Sequence, residues 1–327
     1  GTVLGVLLFL IIIGGIKRIA KVTEKIVPIM GIIYVLGALS VIAFNYTNII
    51  PSFVHIFDQL FTGEAAFGGL VGASFAITFT QGVGQGIFSN EAGQGSAAIA
   101  HSAAKADEPV SEGMVSLLEP FADTLVICTL TGLTILSSGV WRSKADDIIF
   151  QRADMEIVQG VWDEKNPDHT EMLKDHLNDP AGDKLENYSG TLMVTQGTLD
   201  SANVTVLHAR SVGENMIFEK EGERITGEIT IDKGKLIDES IQIRGSTRVH
   251  SAMLTAEAFK NGPLGDKGEW IVSIGLLLFA FSTVISWSYY GDRAVTYLLG
   301  LKFVIPYRIL YIAIFIMGAM LDRKSVV

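Results

Sequence analysis

Stretches near residues 2–16, 26–50, 114–138, 270–290 and 304–321 are apolar over about the 20 residues that a helix needs to cross a bilayer, the shortest of them imperfectly. A sixth apolar region, 67–104, is interrupted by glycine and polar residues. Inside a membrane no water is available to a backbone N–H or C=O, so each segment must satisfy its own hydrogen bonds. The chain is therefore expected to be an all-α integral membrane bundle over these runs, seated in a lipid bilayer. A mean hydropathy of +0.39 over 327 residues agrees.

The interruption constrains function. Residues 81–105 carry five glycines, three glutamines, Ser89, Asn90 and Glu91. Upstream, 67–79 reads as the first half of a span, and 97–104 as a small-residue helix beyond a break. A break at membrane depth survives only against protein or a water-filled cavity. Freed carbonyls there bind cations, and a half-helix N-terminus binds a carboxylate. Close packing through Gly82, Gly84 and Gly86 alone leaves Ser89, Asn90 and Glu91 unexplained, so the break reads as half of a binding site.

Charge sets the topology. Lys17, Arg18, Lys21 and Lys25, with Glu24 the one acid among them, read as a short cytoplasmic loop by the positive-inside rule, and Arg293, Lys302 and Arg308 fall on the same side. This divides the chain into a first transmembrane part, 1–140, with about four spans, a soluble extracytoplasmic insertion, 141–265, and a second transmembrane part, 266–327, with about two. The insertion holds 22 acids and 14 bases, which is eight of the chain's ten net negative charges. Over 146–177 its apolar spacing (Ile149, Met155, Val158, Val161, Met172, Leu173, Leu177) predicts helix, interrupted at Asn166-Pro167. Beyond it, alternating runs such as TLMVT, NVTVLHA and GEITI predict short strands, giving a small α+β domain. Cys128 is the single cysteine, so no disulfide framework exists. The chain has no zinc spacing and no basic aromatic stripe for nucleic acid. The glycines of 82–86 lack the parallel-sheet context of a dinucleotide loop.

The run GIFSNEAGQGSAAIAHSAAK, followed by Glu108-Pro109-Val110, Phe121-Ala122-Asp123-Thr124-Leu125 and Cys128-Thr129, resembles the signature of the alanine or glycine:cation symporter family. FAFSTVISWSYYGDR, residues 279–293, resembles a later span of the same family. The resemblance covers most of the chain except about 110 residues in the middle. It implies a partial inverted-repeat amino-acid transporter fold, multi-pass in a bacterial inner membrane and monomeric. The chain is expected to begin partway through that fold, after most of its first repeat. Gln85 stands where the family usually has arginine, which leaves Glu91 or a substrate carboxylate without that cation.

Ser282 and Thr283 are adjacent hydroxyls inside an apolar span, where hydroxyls commonly bond the carbonyl four residues back; the resemblance implies that they are ligands of a sodium ion. Trp287, one turn on, shares a face with Thr283. With Phe88 in the break it would close an apolar pocket around a methyl-sized side chain, while backbone N–H groups near Gly84, Gly86, Ser89 and Asn90 hold the α-carboxylate. Glu119 and Asp123 share a helix face and are expected near the cytoplasmic mouth, where water reaches them. His101 is expected to be a locally satisfied interfacial histidine.

These residues and the resemblance together imply a symporter that couples sodium to a small neutral amino acid such as alanine or glycine, with proton coupling as the alternative ion. It would use no cofactor beyond the coupling ion and change no bond in its substrate. A membrane receptor or sensor with a ligand-binding outer domain is the alternative; it accounts for the insertion but not for the break. A hydrolase built on Ser89 or Ser96 with His101 lacks a base at defensible spacing.

Overall fold

The computed structural model describes residues 2–62, 80, 82–84, 86, 89–91, 93–178, 184–200 and 203–320. It forms two compact units, Gly1–Val41, Gly84–Gly132 and Pro263–Val327 in the first, and Ile42–Val83 with Leu133–Gly262 in the second.

The first unit begins with α1 (Thr2–Ile13), an uncharged apolar helix stopped by Gly14-Gly15. Gly15 has φ +69°, a left-handed conformation that glycine takes without strain. Helix α2 (Ile16–Phe44) follows at once. The expected basic loop is therefore a correction: Lys17, Arg18, Lys21 and Lys25 lie on the first turns of α2. No breaker follows Gly15 until Pro28, which α2 carries inside it. Long basic side chains on a helix end reach the interface as well as those on a loop do.

Later come α4 (Ser96–His101), α5 (Pro109–Ser138), α8 (Gly268–Leu299) and α9 (Val304–Met320), with α3 (Ile49–Thr62), α6 (Pro167–Asn178) and α7 (Ser251–Lys260) belonging to the second unit. Among the described residues, the helices long and apolar enough to cross a membrane are Ile16–Phe44, Pro109–Ser138, Gly265–Leu299 and Leu301–Gly318, with Val3–Ile13 shorter. Their apolar side chains largely face outward, as Leu36, Leu117 and Leu276 do. A surface of this kind calls for lipid or further helices. The expected half-span 67–79 lies outside the described residues.

Leu8, Ile12, Ile19, Ile285, Tyr289 and Ile312 form the core of the first unit, joining α1, α2, α8 and α9. At its polar end Arg308 grips Asp292 through Nη2 at 2.6 Å and Nε at 3.1 Å, with Nη1 turned to the Ile13 carbonyl at 3.4 Å. Asp292 is 3% exposed, so a buried carboxylate on α8 is neutralised from α9.

Every described strand lies in the second unit. Sheet one has the order β1 (Ala145–Ile149), β11 (Ile241–Thr247), β7 (Glu214–Lys220), β8 (Glu223–Arg224). Sheet two runs β10 (Lys235–Leu236), β9 (Gly227–Asp232), β3 (Gly190–Thr195), β4 (Thr198–Leu199), and sheet three β2 (Met155–Gln159), β5 (Val204–His208), β6 (Ser211–Val212). All pairings are antiparallel. Alternation fixes the register: Leu192 and Val194 point into the core while Met193 between them is 46% exposed. Ile157, Val206, Phe218, Ile229 and Ile243 fill that core.

The helix expected from residue 146 is corrected here. Residues 145–149 and 155–159 are strands joined by a 3-10 turn, Arg152–Asp154, and the α-helix of this stretch is α6 (Pro167–Asn178). Ile148 and Phe150 point inward around an exposed Ile149, a period of two that the wider apolar spacing hid. Long-range pairing with β11 and β5 decides it. Sequence reading also missed α3 (Ile49–Thr62), whose Ile50, Val54 and Phe57 are exposed. Here His55 meets Arg142 Nη2 at 2.7 Å, and the Arg142 guanidinium lies over Trp141. The last helix of this unit, α7 (Ser251–Lys260), buries Ala258 and Phe259.

Candidate functional site

The break is built from two kinds of glycine. Gly82, Gly84 and Gly86 have helical backbone, whereas Gly93 and Gly95 take φ of +80° and +88°, which side chains strongly disfavour. Between them Ser89, Asn90 and Glu91 are neither helix nor strand. Phe88, Gln85 and Gln81 lie outside the described residues. Helix α4 restarts at Ser96 and leans on α8 through Ile99.

Helix α5 holds the break in place. Pro120 has no N–H to donate and its ring crowds the carbonyl four residues back, so it removes one bond from the regular ladder of α5. The chain continues as a π-helical segment, Phe121–Ile127, before Cys128–Ser138 resumes α-geometry. Wider turns of this type expose backbone and redirect side chains, and they recur at functional sites. Here the segment presents Thr124, whose hydroxyl lies 2.6 Å from the Ser89 hydroxyl and accepts from Asn90 Nδ2 at 2.9 Å. Ser89 also donates to the Gly86 carbonyl at 3.2 Å, and the Glu91 N–H points to Glu119 Oε1 at 3.4 Å. Asp123 Oδ2 is buried with no hydrogen-bond partner among the described residues. A buried carboxylate oxygen whose group also meets the Ser89 hydroxyl is a hard-oxygen environment able to hold a cation or a proton.

Sequence reasoning singled out Ser89 and Asn90, and the structure brings them together on Thr124. Glu119 and Asp123, expected at a wet mouth, sit beside that cluster. Thr124 was missed as a participant, and the available signal was Pro120 inside an apolar span.

Ser282 and Thr283 lie on α8, and both hydroxyls donate to the Phe279 carbonyl at 2.9 Å. That bond uses the proton and leaves the oxygen lone pairs free to accept. Ser282 is 7% exposed, whereas Thr283 is exposed along with Trp287 on the same helix face. Trp287 is 53% exposed and contacts Tyr290 at 6.1 Å between ring centres. An apolar ring so exposed on a span belongs to the outward surface that calls for lipid or further helices. His101 is satisfied locally, its Nδ1 lying 2.5 Å from Glu112 Oε1. Higher on α5, Tyr34 of α2 and Thr131 share a hydrogen bond of 2.7 Å, and Tyr34 meets Phe279 edge-on at 6.4 Å.

Comparison with known proteins gives these features a context. The model of the sodium:alanine symporter family matches residues 1–165 and 235–327. An uncharacterised transporter of Haemophilus influenzae is 30% identical over 97% of this chain and 47% of its own length. Sodium/alanine symporter AgcS of Methanococcus maripaludis is 31% identical over 98% of this chain and 47% of its own. Probable sodium/glutamine symporter GlnT of Bacillus subtilis is 39% identical over 46% of this chain and 31% of its own. The chain thus spans about half the length, or less, of the curated relatives it matches.

Proposed function

Because the chain belongs to the sodium:alanine symporter family, we propose that it works as a multi-pass membrane carrier that moves a small neutral amino acid together with sodium. The observation that carries the reading is the interrupted helix tied to the π-helical segment of α5 through Ser89, Asn90 and Thr124. Polar side chains at membrane depth are costly unless they serve a site, and here they gather where the backbone is open.

In this reading backbone N–H groups near Gly84, Gly86, Ser89 and Asn90 bind the α-carboxylate, and Phe88 and Trp287 enclose a small side chain. Ser282 and Thr283 offer neutral oxygens to sodium. Asp123 and Thr124 are added as groups that sense the charge brought to the break. Relatives named for alanine and for glutamine support a neutral amino acid as substrate class, with alanine or glycine the choice for this chain. Residues 141–265 are an extracytoplasmic insertion on an inverted-repeat fold, and the carrier acts as a monomer. No covalent chemistry is involved: one bundle rocks against another around the broken helix, and sodium orders the break so that the amino acid binds. The relatives' names are those of carriers, which gives the receptor alternative no support.

The test is sodium-gradient-driven uptake of labelled alanine in proteoliposomes. Thr283→Ala removes one neutral ligand, about 1 to 2 kcal/mol, and should raise the sodium concentration for half-maximal uptake roughly tenfold. Excess sodium should restore amino-acid affinity, since the coupling is reciprocal. Unchanged sodium dependence would reduce Thr283 to a helix back-bond and move the cation elsewhere, Asp123 being the next candidate.

A further inference from the structure

The second unit is acidic, yet it holds a cavity of about 610 Å³ whose rim is basic. Arg210, Lys233 and Lys235 line it, and none of the three makes an ion pair among the described residues. The two acids on the same wall are each answered by a histidine. Asp154 lies 3.4 Å from His250 Nε2, and Glu156 lies 3.0 Å from His176 Nε2. His208 closes one side, and burial pushes its imidazole down to about 4, so it adds no charge near neutrality. Three cations thus face two carboxylates whose histidine partners carry charge only when protonated, so the lining is positive by one charge, above a floor of Met155 and Leu207.

How the cations are mounted points the same way. Arg210 belongs to the two-residue turn of the β5–β6 hairpin and Lys233 to that of the β9–β10 hairpin. Their φ angles are +61° and +47°, and Ala209 beside Arg210 has +49°. Turns of this kind favour asparagine and glycine. Gln196 and Glu221 take the same conformation in the β3–β4 and β7–β8 turns, so the geometry fixes where the cations stand: two separate hairpins bring them to one cavity.

We infer that this cavity binds a small polyanion bearing carboxylate or phosphate oxygens, held by Arg210, Lys233 and Lys235. Its volume suits a metabolite-sized ligand. A bilayer surface fits less well, because residues 141–265 carry 22 acids against 14 bases, a balance that repels an anionic plane while leaving a concave basic spot open to a free anion. The inference is independent of the transport reading, since no residue of the break takes part.

Titration of the whole chain in nanodiscs of neutral lipid with citrate and with inorganic phosphate, by calorimetry, tests it. Saturable binding is expected that weakens with added sodium chloride and is at least tenfold weaker in Arg210→Asn/Lys233→Asn/Lys235→Gln, where asparagine keeps the left-handed turns. Lys220→Gln, on the paired Lys220–Asp238 contact outside the cavity, should bind as the unaltered chain does. Nanodiscs containing phosphatidylglycerol separate a lipid headgroup from a free anion: competition between that lipid and citrate would overturn the preference for a soluble ligand. A second measurement needs no variant. Labelling of Lys233 and Lys235 by a small amine reagent, read by mass spectrometry, should slow in citrate while Lys220 reacts unchanged. Absence of saturable binding by either anion, or equal labelling with and without citrate, overturns the proposal.

Discussion

Acidification should loosen the strand layer through His208. This side chain is 4% exposed, stacked on Phe150 with 4.6 Å between ring centres, and its Nε2 accepts the Gln151 N–H at 2.9 Å. Protonation would cost the folded state that acceptor and place a charge among apolar neighbours. Burial therefore holds its pKa down to about 4, with Asp154 pulling it up and His250 pushing it down. An unfolded chain protonates the same imidazole near 6.5. Between these values the unfolded state holds more protons, so stability falls as pH drops from 6.5 towards 4, levels off below 4 and is indifferent above 6.5. The gap amounts to about 3 kcal/mol in full, and to about 2.5 kcal/mol between pH 7.5 and 4.5. His208→Gln supplies a neutral acceptor at every pH. It should be less stable than the unaltered chain at pH 7.5, by about 1 kcal/mol of lost ring stacking, and should match or exceed it at pH 4.5. Hydrogen exchange of β2 and β5 peptides, corrected for the intrinsic effect of pH, reads both proteins, and their difference removes the other titrating groups. If that difference is the same at the two pH values, His208 protonates in place and the burial argument fails.

The first unit offers three further tests. Arg308→Met strips the partner from a nearly buried Asp292 and should cost about 3 to 5 kcal/mol, read as a lower melting temperature in detergent; adding Asp292→Leu should recover most of it, and no recovery would mean that the pair is not what holds the α8–α9 corner. At Gly291 a Cβ would collide with the Tyr307 hydroxyl and ring, so Gly291→Ala should destabilise by about 1 to 3 kcal/mol, with relief from Tyr307→Ala and none from Tyr307→Phe, whose ring still clashes. Trp287→Ala should weaken amino-acid affinity in the uptake assay in a way that added sodium does not repair; restoration by sodium would assign the ring to the cation site instead.

The sequence by itself determined the membrane class and the position of the break. These follow from composition within single segments: a run of apolar residues has one stable state in lipid, and a dense cluster of glycines and polar residues inside such a run lets the helix end, as it does where Gly93 and Gly95 turn left-handed. The helical form of 17–25 was open to the same reading, because nothing between Gly15 and Pro28 stops a helix. Partnership between segments was not legible. Ser89 and Asn90 are polar residues in a span on any inspection, but that Thr124 is their partner depends on how the π-helical turns of α5, some 30 residues away, place it. Likewise, residues 146–159 pair as strands because β11 and β5 offer edges from 50 to 100 residues away. Arg210 and Lys233 are ordinary surface cations in the sequence. Only tertiary structure sets two hairpin turns on one cavity, because hydrogen-bonded register, which fixes where a turn points, is a property of pairs of strands and not of either strand alone.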